Sequence, residues 1–370
     1  MKVCLDIQSA LAQRAGVGRY TRQLAEHLAT SRGTDELSLF YFDFKRRGCD
    51  FAPAGIEQRA VTWMPGRFVQ KAWKTIGFPP FDWFSGRADV FHFPNFIRPP
   101  LARGRSVVTI HDAAFLRFPE TIEAGNYRYL SRCIKSTVER SDAIICVSAF
   151  TARELEELLG VPSDRLHAIP SGLSPHHHRA TEPEITGMRD RLKLDRPYLL
   201  SVGTLEPRKN YPFLVEVFEQ LDFDGDLVIA GMKGWKTDGL LERCQSSPKR
   251  ARIRLLEYVA EPDLAPLYSG AALFVIPSLY EGFGFPPLEA MQCGTPVVSA
   301  STGSLPEVLG DAAVLVNGFD LAAWTAAVTS ALTDTTHRAT LIERGYRQAA
   351  AYTWERTAQQ TWAVYRSLGA

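Results

Sequence analysis

Short, mainly apolar runs that stop abruptly at a polar or glycine-bearing turn, each followed by a helical stretch, constrain this chain more than any other feature. Residues 3–7 form one such run. Residues 18–29 follow as a helix with Leu24, Ala25 and Leu28 on one face. Residues 37–42 form a second strand. Residues 106–110 end at His111-Asp112, and residues 143–147 end at Ser148. Residues 151–159 read as a helix closed by Gly160, with Pro162 beyond it. Short strands that are mainly apolar along their length must be covered on both faces. That predicts an α/β protein with parallel sheets between helices.

The pattern breaks and then restarts. Residues 173–186 show neither helical nor strand period and read as a linker. Beyond them, strands are expected at 198–202, 226–230, 253–256, 272–276, 296–299 and 312–316. Helices are expected at 213–221, 263–270, 286–293, 320–332 and 337–350, with a last one from 353 to about 367. The reading is therefore an N-terminal domain over 1–175, a C-terminal domain over 186–352 and a closing helix over 353–370. In open parallel sheets ligands sit outside the carboxyl ends of strands, so the chemistry belongs in the segments just after each apolar run.

Bulk properties exclude several partners. Net charge is +1, without the basic excess of a nucleic-acid binder. The six cysteines are scattered, with no paired metal or redox spacing, which fits a reducing compartment. The first residues do not read as a signal peptide, and no run of about 18 apolar residues occurs, so a cytoplasmic protein is expected. His176-His177-His178 points its rings in different directions with no further ligand nearby, so it reads as linker rather than zinc site.

The segment Ser278-Leu279-Tyr280-Glu281-Gly282-Phe283-Gly284-Phe285-Pro286-Pro287-Leu288-Glu289 follows a strand and opens a helix. Proline suits a first helical turn. The helix N-terminus offers unpaired N–H groups, and Gly282 and Gly284 let the backbone approach a ligand, which makes an anion cradle. Glu281 and Glu289 flank it with seven residues between them. Two hydroxyl-accepting carboxylates around a phosphate nest suit a nucleotide sugar. The segment resembles the E-x7-E element of the GT4 family of retaining glycosyltransferases, built on the GT-B fold of two facing Rossmann-like domains.

The resemblance implies that Glu281 contacts hydroxyls of the transferred sugar and that Glu289 binds the ribose. It also implies that N–H groups near Gly282, Phe283, Gly284 and Leu288 meet sugar and phosphate. The same fold sends its last helix back onto the first domain.

Gly203-Thr204-Leu205-Glu206-Pro207-Arg208-Lys209 also follows a strand and ends in two cations just before a helix. Cations there oppose the helix dipole, so they call for an external anion. Lys209 is placed to stabilise the charge on a departing diphosphate. The segment resembles the family's R-L-x-x-x-K element, but Thr204 stands where arginine is usual. Either Lys209 then carries more of the diphosphate, or Arg208 or Arg19 substitutes. Family members with this sequence often act in polysaccharide or O-antigen assembly, with mannose from GDP-mannose the favoured donor and UDP- and dTDP-sugars next.

The N-terminal half offers weaker signals. Gly16-Val17-Gly18-Arg19 has the shape of a phosphate loop but lacks the third glycine, and serves a simple turn equally well. His111-Asp112 lies at a strand's carboxyl end. The resemblance sets His111 against the donor sugar and makes it, with Glu281 and Lys209, a catalytic candidate. Phe91-His92-Phe93-Pro94-Asn95 ends another strand-like run, and this segment, Asn95 above all, is a candidate for the acceptor side together with Asp112. Residues 61–84 mix Trp63, Phe68, Trp73, Phe78, Phe81, Trp83 and Phe84 with Arg67, Lys71 and Lys74. This reads either as a helix packed on its own domain or as a peripheral membrane contact meeting a lipid-linked acceptor.

No paired acidic metal motif stands where the diphosphate belongs, so no metal or other cofactor is expected. The partners expected are a nucleotide sugar and a glycan or lipid-linked saccharide. A nucleotide-sugar epimerase of the same fold and a non-catalytic nucleotide-sugar-binding protein are the rival readings. Neither half has the full dinucleotide fingerprint.

Overall fold

The computed structural model describes residues 1–12 and 16–369. It divides into two compact units. The first comprises Met1–Leu116, Gly125–Gly172 and Thr353–Ala370, and the second Arg117–Ala124 and Leu173–Tyr352.

Among the described residues the first unit holds seven strands, all paired in parallel. They are β1 (Lys2–Asp6), β2 (Glu36–Phe42), β3 (Glu57–Val61), β4 (Val90–Phe93), β5 (Arg105–Ile110), β6 (Ala143–Cys146) and β7 (Leu166–Ala168), in the order β3-β2-β1-β4-β5-β6-β7. β4 and β6 are buried at every position, as runs covered on both faces must be. β3 and the three-residue β7 had no reading as strands. β3 is an edge strand with polar, largely exposed residues, so it needs no apolar run.

The second unit holds six parallel strands among the described residues: β8 (Tyr198–Val202), β9 (Asp226–Ala230), β10 (Ile253–Leu256), β11 (Leu273–Ile276), β12 (Val297–Ala300) and β13 (Val314–Val316). Their order is β10-β9-β8-β11-β12-β13. Its core packs Leu214, Phe218, Leu227, Ile229, Val275 and Trp324 together. Both sheets thus reverse direction once, between β1 and β4 and between β8 and β11. Those are the topological switch points at which doubly wound sheets bind ligands.

The helix Trp354–Leu368 belongs to the first unit. Thr353 caps it by accepting from the Arg356 N–H at 3.2 Å, Thr357 Oγ1 donates to the Pro170 carbonyl at 2.7 Å, and Trp362 Nε1 donates to the Leu28 carbonyl at 3.1 Å. A Cβ on Gly172 would lie 2.2 Å from the Trp354 nitrogen, so only glycine lets the two chain segments cross there.

Two boundaries differ from the sequence reading. Residues 173–186 are not all linker: a helix runs over Glu182–Leu192, opened by a capping box between Thr181 and Glu184. The N-terminal boundary at 175 hides an exchange of chain. Residues 117–124 pack with the second unit, where Trp235 Nε1 donates to the Thr121 carbonyl at 2.6 Å and the Phe118 ring meets Tyr280 edge-on at 6.0 Å.

Candidate active site

In the second unit the loops after β8 and β11 flank the switch point, and their charged side chains meet there. Glu281 is 6% exposed and Lys209 7%. Lys209 Nζ lies 2.6 Å from Glu281 Oε1, and Ser278 Oγ donates to the same oxygen at 2.6 Å. Arg208 Nη1 reaches Glu281 Oε2 at 3.0 Å and the Tyr280 carbonyl at 2.6 Å, while its Nη2 pairs with Glu206 Oε1 at 2.5 Å. The backbone ties the two loops together as well, the Leu279 N–H donating to the Arg208 carbonyl at 2.8 Å. Burial alone would raise the Glu281 pKa. The charges of Lys209 and Arg208, with hydrogen bonds from Lys209 and Ser278, outweigh it and hold the carboxyl at about 2. A carboxylate accepts about four hydrogen bonds, so these three donors leave room for one hydroxyl.

Local geometry explains why this sequence holds the cluster. Gly203 and Tyr211 clamp the first loop, the Tyr211 hydroxyl donating to the Gly203 carbonyl at 3.1 Å. Gly284 adopts φ 95° immediately before the helix Phe285–Gln292, a conformation that favours glycine. Gly303, at φ 59°, lies under Glu281: a Cβ there would fall 2.6 Å from the Glu281 carbonyl oxygen, which accepts from the Ser304 N–H at 3.0 Å.

Glu289 is 4% exposed on that same helix. Tyr268 donates its hydroxyl to Oε2 at 2.8 Å, and His177 Nδ1 lies 3.7 Å from Oε1. The assignment of His176-His177-His178 to a linker is therefore corrected for its middle member, which is 1% exposed and packed into this unit. Leu288 is fully buried, so any ligand contact it makes runs through its backbone. Phe283 is 4% exposed, its ring held between Phe285 and Tyr352. Thr204 is half-buried.

The first unit places its candidates at the carboxyl ends of β1, β4 and β5. Gly16, at φ 58°, precedes the helix Val17–Ser31, whose first turn carries Gly18 and Arg19; the residues just before Gly16 lie outside the described chain. His111 Nε2 lies 2.9 Å from the Pro94 carbonyl, which only accepts, so that nitrogen carries the proton. Burial pushes the His111 pKa down against the opposing pull of that carbonyl and of Asp112. The ring is neutral, with Nδ1 as its acceptor. Asp112 Oδ1 accepts from the Ala114 N–H at 3.1 Å and so begins the next short helix. Asn95 is half-buried just beyond β4. His92 is not an acceptor-side residue. It is fully buried between the Tyr365 hydroxyl at 2.5 Å and Thr109 Oγ1 at 2.8 Å, with its pKa pushed by burial down to about 3.

Sequence reasoning missed Ser278, Glu206, Tyr268, His177 and Gly303. Ser278 and Glu206 stand within three residues of partners already singled out. Nothing in the pattern marks Tyr268 or Gly303.

A doubly wound pair of units with a buried Lys–Arg–Glu cluster at the second switch point is the architecture of a GT-B glycosyltransferase. Residues 188–348 match the family model described as "Glycosyl transferases group 1", and residues 14–177 match "Glycosyltransferase Family 4". The chain belongs to the GT4 family of glycosyltransferases. It is 30% identical to the O-antigen chain mannosyltransferase B of Escherichia coli over the full length of both proteins. It is also 30% identical to the serotype-specific mannosyltransferase WbdA of Escherichia coli over 60% of this chain and 28% of that longer protein. Sucrose-phosphate synthase from Thermosynechococcus elongatus has the same fold, with a TM-score of 0.77 at 22% identity over 100% of this chain and 99% of that one.

Proposed function

We propose that this glycosyltransferase moves mannose from GDP-mannose to a glycan or lipid-linked saccharide in polysaccharide assembly, with retention of anomeric configuration and without a metal. The observation that carries the reading is the convergence of Lys209 and Arg208 on the two oxygens of Glu281, beside Glu289. The mannosyltransferase relatives support the donor.

In this reading Glu289 binds the ribose, and Glu281 accepts a mannose hydroxyl at its remaining lone pair. Lys209 takes up the diphosphate charge, and Arg208 fills the place left by Thr204. Backbone N–H groups around Gly282–Gly284 and the glycine loop at Gly16, Gly18 and Arg19 add contacts to the donor. Neutral His111 accepts from a sugar hydroxyl through Nδ1. Asn95 and Asp112 lie on the acceptor side.

The bond from the anomeric carbon to the diphosphate oxygen breaks while the acceptor oxygen bonds that carbon on the same face. The acceptor's proton passes to the departing diphosphate, so no enzymic nucleophile is consumed. In this reading the Lys209 and Arg208 side chains offset the charge on the leaving diphosphate, the stabilisation a metal would otherwise supply.

The acceptor reading includes contact with the cytoplasmic face of a membrane through residues 61–84. Trp63, Phe68, Phe78 and Trp83 are exposed, whereas Phe81 is buried and Trp73 Nε1 donates to the Pro79 carbonyl at 2.6 Å. No acidic residue occurs between Glu57 and Asp82. The Lys74 ammonium lies 4.2 Å from the Tyr129 ring, which joins this face to exposed Arg128, Arg132 and Lys135 on the helix Ala124–Arg140. Aromatic side chains beside cations suit an anionic headgroup layer. Among the described residues no helix is long and apolar enough to cross a membrane.

Incubation with GDP-mannose and a lipid-linked saccharide acceptor, in parallel with UDP- and dTDP-sugars, tests the reading. Mannosylated product that forms unchanged in EDTA supports it. Conversion of the donor without acceptor would instead indicate an epimerase.

A further inference from the structure

The histidine run assigned to a linker contributes one side chain to the donor half of the site. We infer that His177 and Tyr268 are positioning residues that hold the Glu289 carboxylate for the ribose hydroxyls. The inference rests on the ribose role proposed for Glu289. Each carboxylate oxygen faces a different neighbour from a different part of the chain. Oε2 accepts from Tyr268 at 2.8 Å, and Oε1 lies 3.7 Å from His177 Nδ1. The His177 ring stands edge-on to Tyr268 with centroids 5.9 Å apart, so the two neighbours also support each other.

The backbone keeps both in place. The His177 N–H donates to the Ser174 carbonyl at 3.2 Å, and that carbonyl also accepts from Gln292 Nε2 at 3.2 Å. Gln292 is on the helix that bears Glu289, so a single carbonyl anchors the turn carrying His177 to that helix. Tyr268 lies in the last turn of the helix Glu261–Ser269, and its carbonyl accepts from Thr295 Oγ1 at 2.6 Å just beyond the Glu289 helix. A glutamate side chain with no such neighbours samples several rotamers. Here one rotamer is selected before any nucleotide arrives, and that preorganisation raises affinity for whatever the carboxylate binds. His176 and His178 are exposed and have no part in this.

The test is calorimetric titration with GDP and with 2′,3′-dideoxy-GDP, the uridine pair being run alongside and the tighter-binding pair used. Hydrogen bonds from the ribose hydroxyls to a charged acceptor predict a wild-type preference of about tenfold or more for the intact ribose. E289Q should bring the preference close to one. H177A and Y268F should each reduce it at least about threefold, with donor KM rising more than kcat falls. H177N, whose amide nitrogen takes the place of Nδ1, should recover most of it.

Loss of general structure would weaken both ligands equally and leave the preference intact. Y268F removes one oxygen, so the test stands even if H177A does not fold. A wild-type preference near one, or a wild-type preference retained in both H177A and Y268F, overturns the proposal. An unchanged preference in E289Q overturns the ribose role and the positioning together. A collapse in E289Q with no change in H177A or Y268F overturns only the positioning.

Discussion

Replacing Glu281 by glutamine removes one charge from a cluster in which it faces two cations, and the structure gives the consequences in size and sign. The carboxyl titrates at about 2 against an ordinary 4.5. At about 1.4 kcal/mol per pH unit, ionised Glu281 contributes about 3 kcal/mol to folding at neutral pH. Its folded pKa is depressed, so that contribution is complete above pH 4.5 and is lost as the pH falls from 4.5 through 2. E281Q should therefore melt roughly 6–12 °C below the wild type at pH 7, for a unit that loses about 2–4 °C per kcal/mol. The gap should close as the pH is lowered through 4.5 toward 2.

Lys209 and Arg208, no longer neutralised by Glu281, should bind GDP about tenfold more tightly. Transfer should still fall by about 100- to 1,000-fold, because on the proposed role the group that orients the sugar is gone. Thermal melts across pH, calorimetry with GDP and initial rates measure the three quantities. An E281Q protein that melts like the wild type at pH 7, or binds GDP more weakly, refutes the electrostatic account.

Lys209→Ala should lower kcat by about 2–4 kcal/mol of barrier, or about 30- to 1,000-fold, measured as mannosyl transfer at saturating donor. Gly303→Ala places a methyl group 2.6 Å from the Glu281 carbonyl oxygen at a positive φ; it should cost about 1–3 kcal/mol in urea unfolding and reduce transfer. On vesicles, W63A/W83A and K71E/K74E should each weaken co-flotation with phosphatidylglycerol liposomes, the second also removing its salt dependence, while GDP affinity stays unchanged. Equal flotation of wild type and variants would remove the membrane contact.

The parallel sheets were legible because buried strands announce themselves as unbroken apolar runs, as β6 and β11 do. β3 was not, since an edge strand has only one strand neighbour and its residues are polar. Glu281, Glu289 and Lys209 were legible because each follows a strand at a fixed offset. What the pattern could not contain was their pairing. Residues 209 and 281 are joined only because β8 and β11 are neighbours in the sheet, a fact of topology rather than of local sequence. His177 was misread for the same reason. Its turn has no secondary-structure period, and its packing shows only in three dimensions, where it is buried against Tyr268 and Glu289 and its turn shares the Ser174 carbonyl with Gln292. His92, part of the run given to the acceptor side, is closed off by Tyr365 and Thr109 on its two nitrogens, which the strand pattern alone does not show.

The most direct measurement is a crystal structure of the protein with GDP-mannose or GDP. The account predicts Lys209 Nζ on the distal phosphate, Glu289 on the ribose and, with the full donor, Glu281 on a mannose hydroxyl. A nucleotide bound elsewhere, or Lys209 and Arg208 still turned wholly onto Glu281 with no phosphate near them, contradicts it.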